Sequence, residues 1–232
     1  TLAYQYSRQA PAHLRPRENV QIMLCTIELN RSQPIAEDPR SASFLKDMED
    51  WGRISRHIYL WDYTVDFAHS ISPFPNIHTL QPNIQLFVKN NVREHFQQSN
   101  TGSGHEFSEL KSYLLAKLLW NPDADVNALI VEFTDGYYGA AGIWMRKYLK
   151  HIEAEILKTG EWLDIYGPPT NHRHSFLSAD NIAAYNRYFD EAEQAFADQP
   201  RLLLHVREAR MPLQYAMMEI GKGSSSAVEK SI

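Results

Sequence analysis

Apolar residues in the first hundred positions gather into four short runs, with two longer amphipathic stretches between them. TLAYQY (1–6), VQIMLCTI (20–27), HIYLWDY (57–63) and VREHFQQ (92–98) are rich in β-branched and aromatic residues and predict strands. SASFLKDMEDWGRIS sets Phe44, Leu45, Met48, Trp51 and Ile54 on one helical face. TLQPNIQLFVKNN predicts a second helix that tolerates Pro82 only within its first turn. Strand, helix, strand, helix at this spacing predicts parallel strands joined by crossovers.

From residue 103 onward the period is helical. SGHEFSELKSYLLAKLLWNP opens with Ser103 and Glu106 at capping-box spacing and stops at Pro122. DVNALIVEF starts from Asp125 as N-cap, and the next helix carries Ile143, Leu149, Ile152 and Ile156 and ends at Gly160. Beyond the loop YGPPTNHRH, two long arms predict a helical hairpin, the second kinked near Pro212. GKGSSSAVEKSI reads as a polar tail. The organisation expected is a strand-and-helix unit over 1–122, a helical region over 123–222, and a disordered tail over 223–232.

Four parallel strands suit either an open doubly wound sheet or half of a (β/α)8 barrel. No glycine-rich dinucleotide turn follows any strand, which disfavours the first. Polar and aromatic residues collect at the carboxyl ends of the strands: Tyr4 and Tyr6, Glu28 and Asn30, Asp62, then Gln97, Gln98 and Asn100. A barrel builds its site at that end. The fold expected is α/β: the second half of a (β/α)8 TIM barrel, followed by a mainly α-helical region. Half a barrel exposes two strand edges. An N-terminal half, a partner chain or a homodimer is expected to cover them, and the start at Thr1 reads as the C-terminal part of something larger.

Composition narrows the partners. The chain has 232 residues, 44% hydrophobic and 22% charged, with a formal net charge of −5. That is ample for a packed core and gives no basic footprint for nucleic acid. No apolar run is long enough to span a bilayer. The single cysteine, Cys25, excludes an internal disulfide framework and multi-cysteine metal sites. It reads as a small residue buried in a strand. His172 and His174 in NHRH lack the acidic company and spacing of a metal site, and no cofactor is expected.

LAYQYSRQAP, YLWDYTVDF with PFPNIHTLQPNIQLFVKNNV, and GHEFSELKSYLLAKLLWNPDADVNALIVEFTDGYYGAA together resemble a bacterial glycoside-hydrolase-like family, domain of unknown function 4838. The similarity extends over most of residues 1–150. It implies that TLAYQY is the fifth strand of the barrel, so that strands five to eight are present. It also implies a carbohydrate ligand derived from polysaccharide or other glycans, and a periplasmic or extracellular location. Many members carry a glutamate at the end of the eighth strand, where this chain has FQQSN.

Glycoside hydrolysis by acid and base uses two carboxyl groups. HIYLWDYTVDF offers Asp62 at a strand end between Trp61 and Tyr63, and Glu28 ends the preceding strand. These are the expected catalytic residues; the alternatives are a loop cap or an orienting group for Asp62 and a solvated loop glutamate for Glu28. Trp61, Tyr63, Tyr4 and Tyr6 are the expected stacking walls, with Tyr4 and Tyr6 sharing one face by the two-residue period or else packing in the core. Gln98 and Asn100 are the expected hydroxyl contacts. Asp66 reads as a turn or helix cap. The competing reading is a non-catalytic carbohydrate-binding or scaffold protein on the same barrel.

Overall fold

A computed structural model of the chain describes residues 1–99, 102 and 104–229. Four parallel strands, β1 (Leu2–Ala3), β2 (Ile22–Cys25), β3 (Ile58–Tyr63) and β4 (Val92–Gln98), pair in the order β1-β2-β3-β4. Helix α1 (Ala42–Ile54) connects β2 to β3, and α2 (Ile77–Lys89) connects β3 to β4. Then follow α3 (Ser108–Trp120), α4 (Val126–Tyr138), α5 (Gly142–Thr159), α6 (Ala179–Ala195) and α7 (Pro200–Glu229). The fold is α/β, a parallel sheet followed by helices. No described helix is long and apolar enough to cross a membrane.

The register fixes which residues share a face. Ile22 and Leu24 lie beside Ile58 and Leu60, while Met23 and Cys25 lie beside Tyr59 and Trp61. Leu60, Trp61, Asp62 and Tyr63 pair in turn with His95, Phe96, Gln97 and Gln98. One face, through Leu24, Ile58 and Leu60, packs on Phe44, Met48 and Trp51 of α1 and Phe87 of α2. The other face carries no helix of this sheet's crossovers. Leu2 and Phe96 are exposed on it, and Met23, Tyr59 and Trp61 are half-buried.

The second core is built by α3 to α7 against the outer side of α2. Leu80 and Ile84 belong to one buried cluster with Leu114, Tyr148 and Phe189, and Tyr63 and Phe74 are part of it too. This cluster runs across residue 122, so the helical region shares a core with the first unit.

Several predicted elements change in detail. TLAYQY forms a ladder only at Leu2–Ala3, because Ser7 Oγ accepts from the Tyr4 N–H and donates to the Leu2 and Tyr4 carbonyls, turning the chain into a 3-10 helix at Gln5–Ser7. Pro82 lies inside α2, beyond its first turn. The buried stripe Ile77, Leu80, Ile84 and Phe87 continues past it, so packing outweighs the lost backbone bond. Helix α3 begins at Ser108, after Phe107 in the left-handed region (φ 46°), rather than at the predicted capping box. Glu106 lies ahead of it in a buried ion pair with Lys111, and Ser103 lies outside the described residues. Asp125 caps α4 as expected, accepting from the N–H groups of Asn127 and Ala128 at 3.0 Å. Gly160 ends α5 at φ 55°, but Ile143 is exposed, because the buried stripe runs through Met145, Tyr148, Ile152 and Ile156. Helix α7 is continuous across Pro212.

Candidate functional site

Asp62, the penultimate residue of β3, lies on the face that carries Ile58 and Leu60, the face toward α1 and α2, because side chains alternate along a strand. Trp61 and Tyr63 point to the opposite face, where their rings stack with centroids 5.9 Å apart. The acid is therefore not held between these two rings: adjacency along the strand places it on the other side of the sheet. Asp62 is buried. Its Oδ1 accepts from Thr26 Oγ1 and lies 3.6 Å from the Arg31 guanidinium, and its Oδ2 accepts from Gln97 Nε2 at 3.2 Å. Arg31 is itself buried and donates to the Thr26 carbonyl at 2.6 Å. Burial pulls Arg31 below the usual arginine value, and Asp62 is the main influence opposing it. The pair fastens the end of β2 to the end of β3.

Glu28 lies in the turn after β2, where the Leu29 N–H bonds the Thr26 carbonyl at 3.0 Å. Arg8 bridges Glu28 to Asp47 of α1, with Nε 2.7 Å from Asp47 Oδ2, and its other nitrogen reaches Ser43 at 3.1 Å. Asp62 and Glu28 thus sit in separate ion pairs and share no partner among the described contacts.

The predicted walls divide. Tyr4 is half-buried at the end of β1, but Tyr6 is 98% exposed, since the chain leaves the strand before it. The two therefore do not share a strand face. Trp61 Nε1 donates to Gln98 Oε1 at 2.9 Å, so the expected hydroxyl contact is a neighbour of the expected wall. Asn100 lies outside the described residues.

The segment after α5 completes this end of the sheet, which sequence reasoning did not anticipate. The Arg31 N–H bonds the Leu163 carbonyl at 3.3 Å, and the Phe67 N–H bonds the Ile165 carbonyl at 2.7 Å. Asn30 Oδ1 accepts from the Leu163 N–H at 2.9 Å. These bonds place Tyr166 5.8 Å from Phe67, and Phe67 stands 5.9 Å from Tyr63. With Trp61, the result is an unbroken aromatic run, Trp61–Tyr63–Phe67–Tyr166, buried at Tyr63 and open to solvent at Tyr166. Exposed Asp164 lies beside it, its Oδ1 accepting from the Tyr166 N–H at 2.7 Å. The signal for these residues is contact across about a hundred positions of chain, which no local spacing carries.

Asp66 caps the turn it begins, accepting from the N–H groups of Ala68 and His69 at 2.9 and 2.8 Å. Burial nevertheless pushes its carboxyl above the ordinary value, against the pull of those two N–H groups. Asp164 is close enough to reinforce that shift. Burial likewise pushes the Cys25 thiol up to about 11, against a hydrogen bond with Tyr63. Such a thiol is a packing group rather than a nucleophile. Among the described residues, no three His, Cys, Asp or Glu side chains gather as a metal site.

Comparison with curated proteins and with solved structures finds no match. A family model described as a domain of unknown function (DUF4838) does match, over residues 1–150, and the chain belongs to that family.

Proposed function

We propose that this protein is glycoside-hydrolase-like and recognises a glycan at the carboxyl ends of its parallel strands. In this reading the four strands are the second half of a (β/α)8 barrel, whose interior face carries Met23, Tyr59 and Trp61. The remaining strands, in an N-terminal half or a partner chain, would cover that face and the edges at β1 and β4. The observation that supports glycan recognition is the run Trp61–Tyr63–Phe67–Tyr166, with Gln98 and Asp164 beside it. Pyranose rings present apolar C–H faces to aromatic side chains and hydroxyls to amides and carboxylates. A contiguous wall with a polar margin serves both, in the way ligand sites pair apolar lining with a few polar groups.

The test is a screen of the full chain against plant and host oligosaccharides by calorimetry, with Tyr166→Ala and Tyr6→Ala beside the parent. Tyr166→Ala is expected to weaken binding by about tenfold, from the loss of one aromatic partner. Tyr6→Ala is expected to leave it unchanged. Equal loss in both variants, or binding to no glycan, would sink the proposal.

A second reading, hydrolysis by carboxylate acid and base, is favoured by Asp66 and Asp164. One is buried and pushed toward its protonated form, and the other lies in water nearby. Pairs of carboxyl groups in such unlike environments are how acid and base roles are divided. Asp62 and Glu28, the expected pair, are each tied to an arginine. Release of sugar from an aryl glycoside, lost in Asp66→Asn and Asp164→Asn but kept in Glu28→Gln, is the outcome this reading expects.

A further inference from the structure

The segment after α5 crosses the carboxyl ends of the strands with a two-residue alternation. The carbonyls of Glu161, Leu163 and Ile165 each accept from a strand-end loop: from Ser32 Oγ at 2.6 Å, the Arg31 N–H at 3.3 Å and the Phe67 N–H at 2.7 Å. Leu163 and Ile165 are buried, while Trp162, Asp164 and Tyr166 are exposed. Three anchors within five residues hold the backbone, so a ligand that meets these side chains has little ordering of the segment left to oppose it.

Tyr166 ends the aromatic run over the loop after β3, through Phe67. Trp162, 40% exposed, stands elsewhere, beside the start of α1. The Arg40 guanidinium lies over its ring, 5.3 Å from the centroid, a cation–π contact that braces the indole. Arg40 is itself held: Nε donates to Asp38 at 2.8 Å and a terminal nitrogen donates to the Gly160 carbonyl at 3.0 Å. Its side chain is still 41% exposed, so the guanidinium fork has N–H groups left for hydroxyls. A braced ring for the C–H face of a pyranose and a donor for its hydroxyls stand side by side. Arg40 is matched by Asp38, and Arg31 by Asp62, so exposed Asp164 leaves the strip with a net negative charge. That charge disfavours an acidic sugar chain.

We propose that Trp162, backed by Arg40, is a second sugar subsite, which makes the ligand of the strand ends a neutral oligosaccharide running from Tyr166 past Asp164 toward the start of α1. Four residues separate the two rings, so their Cα atoms are at most about 14 Å apart, within reach of a short chain of linked sugars. The inference rests on the glycan reading of the strand ends and adds what that reading leaves open, the length and charge of the ligand.

The test is calorimetric titration of the full chain with cello-, xylo- and mannooligosaccharides from disaccharide to hexasaccharide, and with oligogalacturonates of the same lengths. Affinity for a neutral series is expected to rise about tenfold at the length that first spans both rings, the effect of one added aromatic partner. Trp162→Ala is expected to remove that rise and to leave disaccharide affinity within about twofold of the parent. Trp162→Tyr, which keeps a ring, is expected to retain most of the rise. Tyr166→Ala is expected to weaken binding at every length, and galacturonates to bind more weakly than neutral chains. The inference alone is overturned if the parent shows no rise with length, if Trp162→Ala weakens disaccharide and hexasaccharide equally, or if galacturonates bind as tightly. Binding to none of these chains, or a Tyr166→Ala variant equal to the parent at every length, overturns the glycan reading beneath it as well.

Discussion

The two faces of one sheet end differently. On the face toward α1 and α2, the strands run through Leu24, Ile58 and Leu60 into Thr26, Asp62 and Gln97, whose polar groups are bound to one another and to Arg31. On the other face they run through Tyr59 and Trp61 into Tyr63 and Gln98, and from there the aromatic run reaches solvent at Tyr166. Residues adjacent in sequence thus have different work. Asp62 holds strand ends together, while Trp61 and the buried Tyr63 begin the aromatic run that reaches solvent at Tyr166. A strand-end carboxylate is a site residue only when the two-residue alternation puts it on the face that opens.

The sharpest way to break this comparison is to remove Arg31. Both members of its pair with Asp62 are buried, so Arg31→Met leaves an uncompensated carboxylate and is expected to cost about 3–5 kcal/mol in urea unfolding. Replacing both residues with apolar ones of similar volume is expected to restore most of that stability. A loss under about 1 kcal/mol for Arg31→Met, the range of exposed pairs, would show that the closed face is wet.

A smaller effect tests the same face by pH. His95 packs against the Phe87 ring, 5.5 Å away, and burial depresses its imidazole despite the opposing pull of Asp62. Below an ordinary value of about 6.5 the unfolded chain takes up a proton that the folded chain refuses, so stability falls as pH drops through that value toward the depressed one. His95→Phe is expected to flatten this part of the stability curve, read from unfolding midpoints at pH 7 and 5. An unchanged slope would place the imidazole in water.

The smallest effect belongs to the other face. Leu2 and Phe96 are exposed, at 49% and 41%, so Leu2→Ser and Phe96→Ser are expected to change the unfolding free energy of the isolated chain by no more than about 0.5 kcal/mol. In a longer chain or assembly that covers this face, the same changes are expected to cost several times more. Equal effects in both would count against a covering layer.

Much of this was legible in the sequence. Alternation and helical period carry the four strands, the crossover helices, the Asp125 cap and the Gly160 stop, because each depends on residues a few positions apart. The family was legible from long ordered stretches over the same residues that the family model matches. The face of Asp62 was obscured because its flanking aromatics suggested a shared pocket, whereas strand alternation separates them. The strand at Tyr4 and Tyr6 was over-extended because Ser7, through one hydroxyl, turns the chain. Phe67, Asp164 and Tyr166 could not be assembled in advance, since the bond from Phe67 to Ile165 joins segments nearly a hundred residues apart. The glycan these residues are proposed to meet rests on that assembly.

The most direct test of this division of faces sets Asp62→Asn and Trp61→Ala side by side in titrations with a glycan that the parent binds, each variant first checked for an intact unfolding transition. The account predicts that Asp62→Asn keeps the affinity within about twofold while Trp61→Ala loses about tenfold. Loss of binding or turnover in Asp62→Asn at unchanged stability, with Trp61→Ala behaving like the parent, would contradict it.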